Sequence, residues 1–276
     1  MRRLLAVLGL IALVSPASAA DYDLPTLRGT ETFVPAFPTY SHWDGFYFGG
    51  QLSYGNAQAN FTSSTQPLFA IPLRELALES EVGVSGFQLL GPVETGAGGV
   101  GGFVGYNAQF DQAIIGLEFS YIHSNFDMVA PNFPIGRQTG RLSNGFAYRF
   151  VLDGSGSLRL TDIGELRVRA GYAMGAFMPY VMFGLASGRA DLALQVSCSC
   201  QELTPPTNFV DADFSFASGQ AKSSAYLWGY SGGTGLEWAL TQSIFARADY
   251  EYIQWSPITR ITSHLNIAHL GFGVRF

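Results

Sequence analysis

The sequence predicts an all-β fold, an eight-stranded antiparallel transmembrane β-barrel with short periplasmic turns and long extracellular loops. Three observations support this prediction. Only 13% of the 276 residues are charged, about half the share found in an ordinary soluble domain. No run of roughly 18 apolar residues follows the N-terminus, which disfavours membrane-spanning helices. Apolar and polar residues instead alternate with a period of two in runs of about ten residues, the length of a tilted membrane strand.

The first twenty residues are typical of an export signal. Arg2 and Arg3 precede an apolar run over 4–14, and a small-residue stretch ends at Ala19 or Ala20. This order of positive, apolar and small residues predicts a signal peptide over 1–20 that is cleaved after one of those alanines. An exported chain that spans a membrane with strands belongs in the outer membrane of a Gram-negative bacterium.

The segment that follows the predicted signal peptide has no clear periodicity. It contains Pro25, Pro35 and Pro38, and proline disfavours both helix interiors and central strands. We therefore expect a periplasmic N-terminal linker over 21–43 and the barrel over 44–276.

The barrel region contains eight alternating runs. They cover 45–54, 98–107, 113–123, 164–172, 179–188, 226–238, 244–254 and 266–276. Short connections around Asp111, Gly175 and Thr241 predict the periplasmic turns. The predicted long extracellular loops cover 55–97, 124–163 and 189–225, and a short one covers 255–265.

The two faces of these runs indicate what surrounds the barrel. In the seventh run Arg247, Asp249 and Glu251 share one face, whereas Ala248 and Tyr250 lie on the other. In a bilayer the apolar face meets lipid and the charged face points into the lumen. The predicted lumen network has four acids and four arginines, namely Glu118, Arg167, Arg169, Glu237, Arg247, Asp249, Glu251 and Arg275. Because side chains fill an eight-stranded barrel, we expect a paired plug, with a narrow conductance as the alternative.

Aromatic residues at the strand ends predict two interfacial girdles. The outer girdle comprises Tyr54, Tyr121, Tyr226, Trp228 and Tyr252. The inner girdle comprises Phe46, Tyr106, Tyr172, Trp238 and Phe276.

Several strand segments carry a family resemblance. They are WDGFYFGG at 43–50, LRVRAGY at 166–172, MPYV at 178–181, GGTGLEW at 232–238 and GFGVRF at 271–276. Together they resemble small alphaproteobacterial outer-membrane proteins with an opacity-antigen-like, porin-family β-barrel domain. The resemblance covers the predicted strands and fails in the long loops. It implies an integral outer-membrane surface antigen and no particular enzymatic activity.

The last predicted strand resembles the signal that the outer-membrane assembly machinery reads. Leu270, Phe272, Val274 and Phe276 occupy alternate positions and form one apolar face. Such a strand can pair with the edge of an insertase by β-augmentation. The alternative is a face that simply meets lipid, and both interpretations can hold together.

The family resemblance also bears on the N-terminus. Cleavage after Ala19 leaves a chain that begins with Ala20 and Asp21, and related proteins are attached to peptidoglycan through an Ala-Asp type of N-terminus. The linker is long enough to allow this, at about 3.3 Å per extended residue. We therefore expect peptidoglycan as a partner, with a free N-terminal leader as the alternative.

No catalytic, cofactor or metal site is predicted. His123 and Ser124 invite comparison with lipid A deacylases, but adjacent strand residues point to opposite faces. The two side chains are therefore not expected to meet in one catalytic site. The remaining histidines, which show no metal-ligand spacing, are His42, His264 and His269.

Two cysteines fall in the third predicted long loop. Cys198 and Cys200 are separated by one residue, which leaves three alternatives: a local disulfide, free thiols or an intermolecular link. Two thiols without further ligands do not make a zinc site.

The predicted function is structural: a monomeric barrel that supports envelope integrity and surface properties. Its expected partners are outer-membrane lipid, lipopolysaccharide and the assembly machinery. The alternatives are a surface protein that acts as adhesin, receptor or haem-capture protein through its loops, and a small low-conductance porin. Nucleic acid is not an expected partner, because 15 basic residues, of which only Lys222 is a lysine, stand against 21 acidic ones.

Overall fold

The computed structural model describes residues 42–205 and 209–276. The predicted signal peptide, Ala20, Asp21 and nearly all of the predicted linker lie outside these residues. Ten strands form within the described part of the chain. They are β1 (Gly45–Asn60), β2 (Pro92–Phe110), β3 (Ala113–Val129), β4 (Ile135–Gln138), β5 (Ala147–Tyr172), β6 (Phe177–Thr204), β7 (Phe209–Asp213), β8 (Phe216–Ala239), β9 (Ile244–Trp255) and β10 (Thr262–Arg275).

Eight of these strands close into a ring. The neighbours run in the order β5-β3-β2-β1-β10-β9-β8-β6, and pairing of β6 with β5 completes the circle. Every pairing is antiparallel. The first and last strands pair from Tyr47 with Arg275 to Asn60 with Thr262. All eight predicted runs fall within strands of this ring, apart from Phe276, which follows the end of β10. The predicted eight-stranded barrel is therefore confirmed.

The outer surface of the ring is apolar where the sequence predicts lipid contact. On β1, Phe46 is 66% exposed and Tyr54 is 67% exposed. The nine residues from one to the other match the roughly nine to eleven residues that a tilted strand needs to cross the hydrocarbon core. Aromatic side chains at the periplasmic end contact one another, with Phe46 and Tyr106 packed edge to face at 4.9 Å between ring centroids.

Two short helices and one 3₁₀ turn lie between β1 and β2. Helix α1 covers Gln66–Leu73, helix α2 covers Ala77–Val82, and the 3₁₀ turn covers Val84–Gly86. Gly83 ends α2 with φ of 65° and donates its backbone N–H to the carbonyl of Glu79, an end that glycine adopts without strain. Among the described residues, no helix is long and apolar enough to cross a membrane.

The predicted long extracellular loops consist largely of strands and short helices. Strands β5 and β6 have 26 and 28 residues, far more than a bilayer requires. Their outer halves continue the sheet beyond the outer girdle. We call this part the outer wall: residues 147–163 of β5, 188–204 of β6 and 216–228 of β8, with β4 paired to β5 and β7 paired to β6. At about 3.3 Å per residue, it extends roughly 50 Å along the strands.

The outer wall reverses the polarity of the membrane barrel. Its concave face is apolar and its outer face is polar, as on β5, where Leu152 and Leu158 are buried while Asp153 and Arg159 are exposed. The buried face packs against α1, α2, the 3₁₀ turn and Leu89 after it. This cluster comprises Phe69, Leu73, Leu78, Val84, Leu89, Tyr148, Phe150, Leu152, Val196, Cys198 and Cys200. The wall therefore has a core like that of a water-soluble sheet.

Candidate functional site: the charged lumen

All eight charged residues that the sequence places in the lumen are buried there. Their exposed fractions run from 0% for Arg167 and Glu251 to 6% for Asp249. They come from β3, β5, β8, β9 and β10, each on the face opposite the lipid-facing residues. Period-two alternation thus brings seven of these side chains into one ion-paired layer inside the ring. Arg275 joins none of these ion pairs and instead donates to the backbone carbonyl of Gln242 at 3.0 Å.

Glu118 is the centre of this layer. Its carboxylate accepts hydrogen bonds from Arg167 at 2.7 Å, from Arg169 at 3.0 Å and from Arg247 at 2.8 Å. The hydroxyl of Tyr47 donates a fourth bond at 2.9 Å. These four hydrogen bonds equal in number the roughly four lone-pair positions that a carboxylate offers.

Further ion pairs extend across the lumen from Glu118. Arg167 also donates to Glu251 at 2.7 Å, which joins β5 to β9. Arg169 donates to Glu237 of β8, and Arg247 lies 3.4 Å from Asp249 on its own strand. The first two pairs connect strands that are not neighbours in the sheet, so they cross-link the barrel wall through the lumen.

The guanidinium groups also lie over aromatic rings. The centre of the Arg247 guanidinium is 3.6 Å from the centroid of the Phe103 ring. For Arg169 over Tyr180 the distance is 4.0 Å, and for Arg275 over Trp43 it is 4.5 Å. Desolvated cation–π contacts of this kind are worth about 2 kcal/mol in favourable cases.

The lumen contains partners that the sequence prediction missed. Glu165 is a fifth buried carboxylate, 3.7 Å from Arg167, so the predicted balance of four acids and four arginines is wrong. His269, for which the sequence analysis notes only the lack of metal-ligand spacing, is buried, with its Nδ1 2.8 Å from the hydroxyl of Ser53. Glu165 lies two residues before Arg167, so the same alternation could have identified it.

Apolar layers enclose the charged layer on both sides. The periplasmic side is filled by Trp43, Ile114, Met178, Tyr180, Met182 and Ala239. The outer side is filled by a larger cluster that includes Ile122, Phe126, Ile163, Ile253, Leu265 and Ile267. The charged layer therefore lies between two buried apolar clusters.

The residues of the predicted assembly signal lie on the lipid-facing side of β10 and at the chain end. Leu270 is 65% exposed, Phe272 66% and Phe276 76%, and Val274 is partly buried. The Phe276 ring stacks on Phe48 of β1 with 5.8 Å between centroids. The side chains are therefore accessible from the membrane.

His123 and Ser124 point to opposite faces of β3. Ser124 is buried, whereas His123 is exposed and its Nδ1 lies 2.8 Å from Asp162. Asp162 also accepts a hydrogen bond from Tyr121 at 2.7 Å, and it lies outside the predicted membrane run 164–172. The hydrogen bonds from His123 and then Tyr121 lower the pKa of Asp162 below its ordinary value, since they stabilise its charged form.

The two cysteines lie in β6 and not in a loop, which corrects the sequence prediction. Cys198 and Cys200 both point to the concave face of the outer wall and are joined by a disulfide. Alternation places residues two apart on the same face, so both sulfur atoms enter the apolar cluster beneath α1. Within the described residues, no three His, Cys, Asp or Glu side chains are grouped so that they could hold a metal ion.

Comparison with known proteins identifies the family. The model of the outer membrane protein β-barrel domain matches residues 6–276. The chain belongs to this family. It is a Gram-negative outer-membrane β-barrel protein, as the resemblance of its strand segments implies.

Individual relatives are distant. The 25 kDa outer-membrane immunogenic protein of Brucella canis is 24% identical over 264 residues, which cover 93% of this chain and 87% of the relative. Among solved structures, the attachment invasion locus protein Ail of Yersinia pestis is 12% identical, with a TM-score of 0.32 over 84% of this chain and 99% of Ail. Neisserial surface protein A is also 12% identical, with a TM-score of 0.37 over 84% of this chain and 97% of that protein.

Proposed function

We propose that this protein is a structural component of the outer membrane that supports envelope integrity and surface properties without conducting ions. The side chains that occupy the lumen support this proposal. Glu118 and its three arginines occupy the middle of the barrel, and apolar side chains fill the space on either side. A protein built for passage of solutes would keep water along the lumen.

Planar-bilayer recording of the purified protein tests the closed lumen. We expect no sustained conductance from the native chain. Sustained conductance by the native chain would contradict the proposal and favour the low-conductance porin.

Envelope integrity is tested in cells that lack the protein. They should become more sensitive to detergents and bile salts, and the native chain should restore resistance. A second rescue chain replaces residues 124–162 and 190–225 with short Asn-Gly turns and so lacks the outer wall. Rescue by this shortened barrel supports a structural role of the membrane part, whereas rescue by the full chain alone favours a function of the wall.

We also propose that the N-terminus tethers the barrel to peptidoglycan through Ala20 and Asp21, both outside the described residues. The described chain enters β1 at the end of the barrel that carries the short turns, which is the periplasmic end. Mass spectrometry of muramidase-digested envelopes should detect an Ala-Asp peptide joined to a muropeptide. Free N-termini alone would exclude the tether.

The proposed partners in the membrane follow from the exposed surfaces. The lipid-facing side chains suit outer-membrane lipid and lipopolysaccharide, and the exposed Phe276 suits recognition by the assembly machinery. We propose a monomer because the ring closes on itself. Analytical ultracentrifugation in detergent should give the mass of one chain, and a stable dimer would contradict this.

We assign the protein no catalytic activity. The support is that His123 and Ser124 face opposite sides of β3, so they do not meet in one site. Incubation with the purified protein should leave the mass of lipid A unchanged. Loss of an acyl chain would overturn this assignment.

The second candidate function is ligand binding at the cell surface, as an adhesin, receptor or haem-capture protein. One observation favours it: apolar side chains remain exposed at the tip of the outer wall, including Ile71 and Phe209, each 71% exposed. Contiguous exposed apolar surface commonly marks an interaction site.

A further inference from the structure

One edge of the outer wall has no partner strand among the described residues. Strand β8 pairs with β6 from Phe216 to Trp238. On its other side, β9 pairs with β8 only from Gly229 to Ala239. The backbone from Phe216 to Leu227 therefore presents alternate N–H and C=O groups to the exterior. Such an edge is a template for an additional strand.

The lower end of this edge is protected against continued pairing. The β6–β8 register shifts between Ala190 and Leu192, and Ser224 there has φ of 54°. Ser224 donates its backbone N–H to Asp191 at 2.7 Å, which holds this bulge in place. Lys222, the one lysine of the sequence, lies beside it. Bulges and lysines are the devices by which proteins stop edge-to-edge pairing.

The upper end of the same edge opens into an apolar groove. Phe216 is the first residue of the edge and also lines this groove, whose volume is about 510 Å³. The other lining residues are Ile71, Pro72, Arg74, Glu75, Leu76 and Phe214. The Phe216 ring packs edge to face on Phe69 of α1, at 6.1 Å between centroids, so the groove has a fixed floor. Its volume falls in the range that accommodates a bulky apolar group.

These features define a binding site of limited length. About six residues, from Phe216 to Ala221, separate the groove from Lys222, and they span roughly 20 Å. We infer that the outer wall binds an extended segment of a partner protein, which adds a strand to β8, places a bulky apolar side chain in the groove and an acidic side chain opposite Lys222. Backbone pairing supplies the affinity, and the groove and the lysine fix the register.

A seven-residue probe follows from this geometry. In antiparallel pairing, the residue opposite Lys222 is N-terminal and the residue opposite Phe216 is C-terminal. The probe is the synthetic peptide Asp-Thr-Val-Thr-Val-Thr-Phe with blocked ends, and the reversed sequence is its composition-matched control. The full-length protein in lipid nanodiscs is titrated, and backbone amide resonances are followed by NMR. The probe should shift amides between Phe216 and Ala221 and bind at least about fivefold more tightly than the reversed peptide.

Two substitutions separate this site from unspecific binding. Ile71→Asp should weaken binding at least about fivefold, while Val151→Asp, on the exposed face of β5, should not. Lys222→Glu should weaken binding about two- to fivefold, the usual size of an exposed ion pair, with Arg149→Glu, another exposed charge reversal, as its control. A peptide with lysine in place of the aspartate should regain affinity for the Lys222→Glu protein. All substituted residues are exposed, so the fold is retained.

Several outcomes would overturn the inference. One is the absence of amide shifts on β8 up to the solubility limit of the probe. The inference would also fail if the reversed peptide bound as tightly as the probe. It would fail as well if the Ile71→Asp protein showed the same amide shifts as the native chain. A further such outcome is a concentration-dependent dimer, without probe, whose amides between Phe216 and Ala221 are protected from hydrogen exchange. That result would assign the edge to a second copy of the chain.

Discussion

Replacing Glu118 by glutamine should strongly destabilise the barrel. The substitution keeps the shape and one acceptor oxygen of the side chain but removes the negative charge shared by Arg167, Arg169 and Arg247. All four groups are 0–3% exposed, so water does not compensate the loss. Removal of one partner from a buried ion pair costs about 3–5 kcal/mol. We expect the free energy of unfolding of Glu118→Gln to fall by about this amount.

The assay is equilibrium urea unfolding in phospholipid vesicles, followed by tryptophan fluorescence and by heat-modifiable gel mobility. Glu94→Gln is the control, because Glu94 is an exposed carboxylate of β2 that accepts a hydrogen bond from Gln58 at 2.9 Å. It should lose less than about 0.5 kcal/mol. A double variant, Glu118→Gln with Arg167→Met, should lose less free energy of unfolding than the sum of the two single variants. The reason is that the second substitution removes an arginine whose carboxylate partner is already gone. A loss below about 1 kcal/mol for Glu118→Gln would mean that water reaches the layer, and the argument for a closed lumen would fail.

Three further predictions concern sites outside the charged layer. His123→Ala should raise the pKa of Asp162, measured by carboxyl-carbon NMR, because the carboxylate loses the hydrogen bond that lowers it. Since that pKa is lowered in the folded state, the stabilisation is present above the unfolded-state pKa and is lost as pH falls through the folded-state value. Reduction of the Cys198–Cys200 disulfide should lower the free energy of unfolding by no more than about 2 kcal/mol in urea titrations, because the bridge closes a very short loop. Deletion of Phe276 should slow assembly, measured as the rate at which heat-modifiable protein appears in pulse-labelled cells.

Each of these predictions has a result that contradicts it. An unchanged or lowered pKa in the His123→Ala protein would show that the histidine does not donate to the carboxylate. A large loss of stability on reduction would mean that the bridge holds distant parts of the wall together. Phe110→Ala, which removes another exposed aromatic residue near a periplasmic turn, is the control for the deletion. Equal assembly rates for the deletion and the native chain would refute the signal.

The membrane part of the fold could be predicted from the sequence because lipid imposes one rule on every strand. Wherever apolar residues alternate with charged or small ones, the apolar set must face outward, and Arg167, Arg169 and Glu118 then fall inside. The rule gives the strand segments and the charged face together. It does not give the partners of each charge, because contacts across the barrel depend on how eight strands are arranged in space. The pairing of Arg167 with Glu251 is of this kind.

The outer wall could not be predicted in the same way for two physical reasons. Water surrounds it, so the apolar residues switch from the outer to the inner face. The alternation also changes phase at a bulge in β5: Leu160 and Ile163 are both buried, with Thr161 and Asp162 between them. A second shift lies near Ser224 of β8. One continuous alternation ends at these points, so the residues beyond them are predicted to be loops.

The pairing of β1 with β10 sets the order in which the molecule can fold. The two strands that close the ring lie at opposite ends of the barrel sequence, and Tyr47 and Arg275 are neighbours only after closure. The entropy cost of joining ends more than 200 residues apart is about 5 kcal/mol, from the logarithmic dependence on loop length. The bonds from Arg247 of β9 to Glu118 of β3 and Gln51 of β1 also form only at that stage. Because of this cost, ring closure is expected to come last, and a chain that stops before β10 retains two open edges, on β1 and on β9.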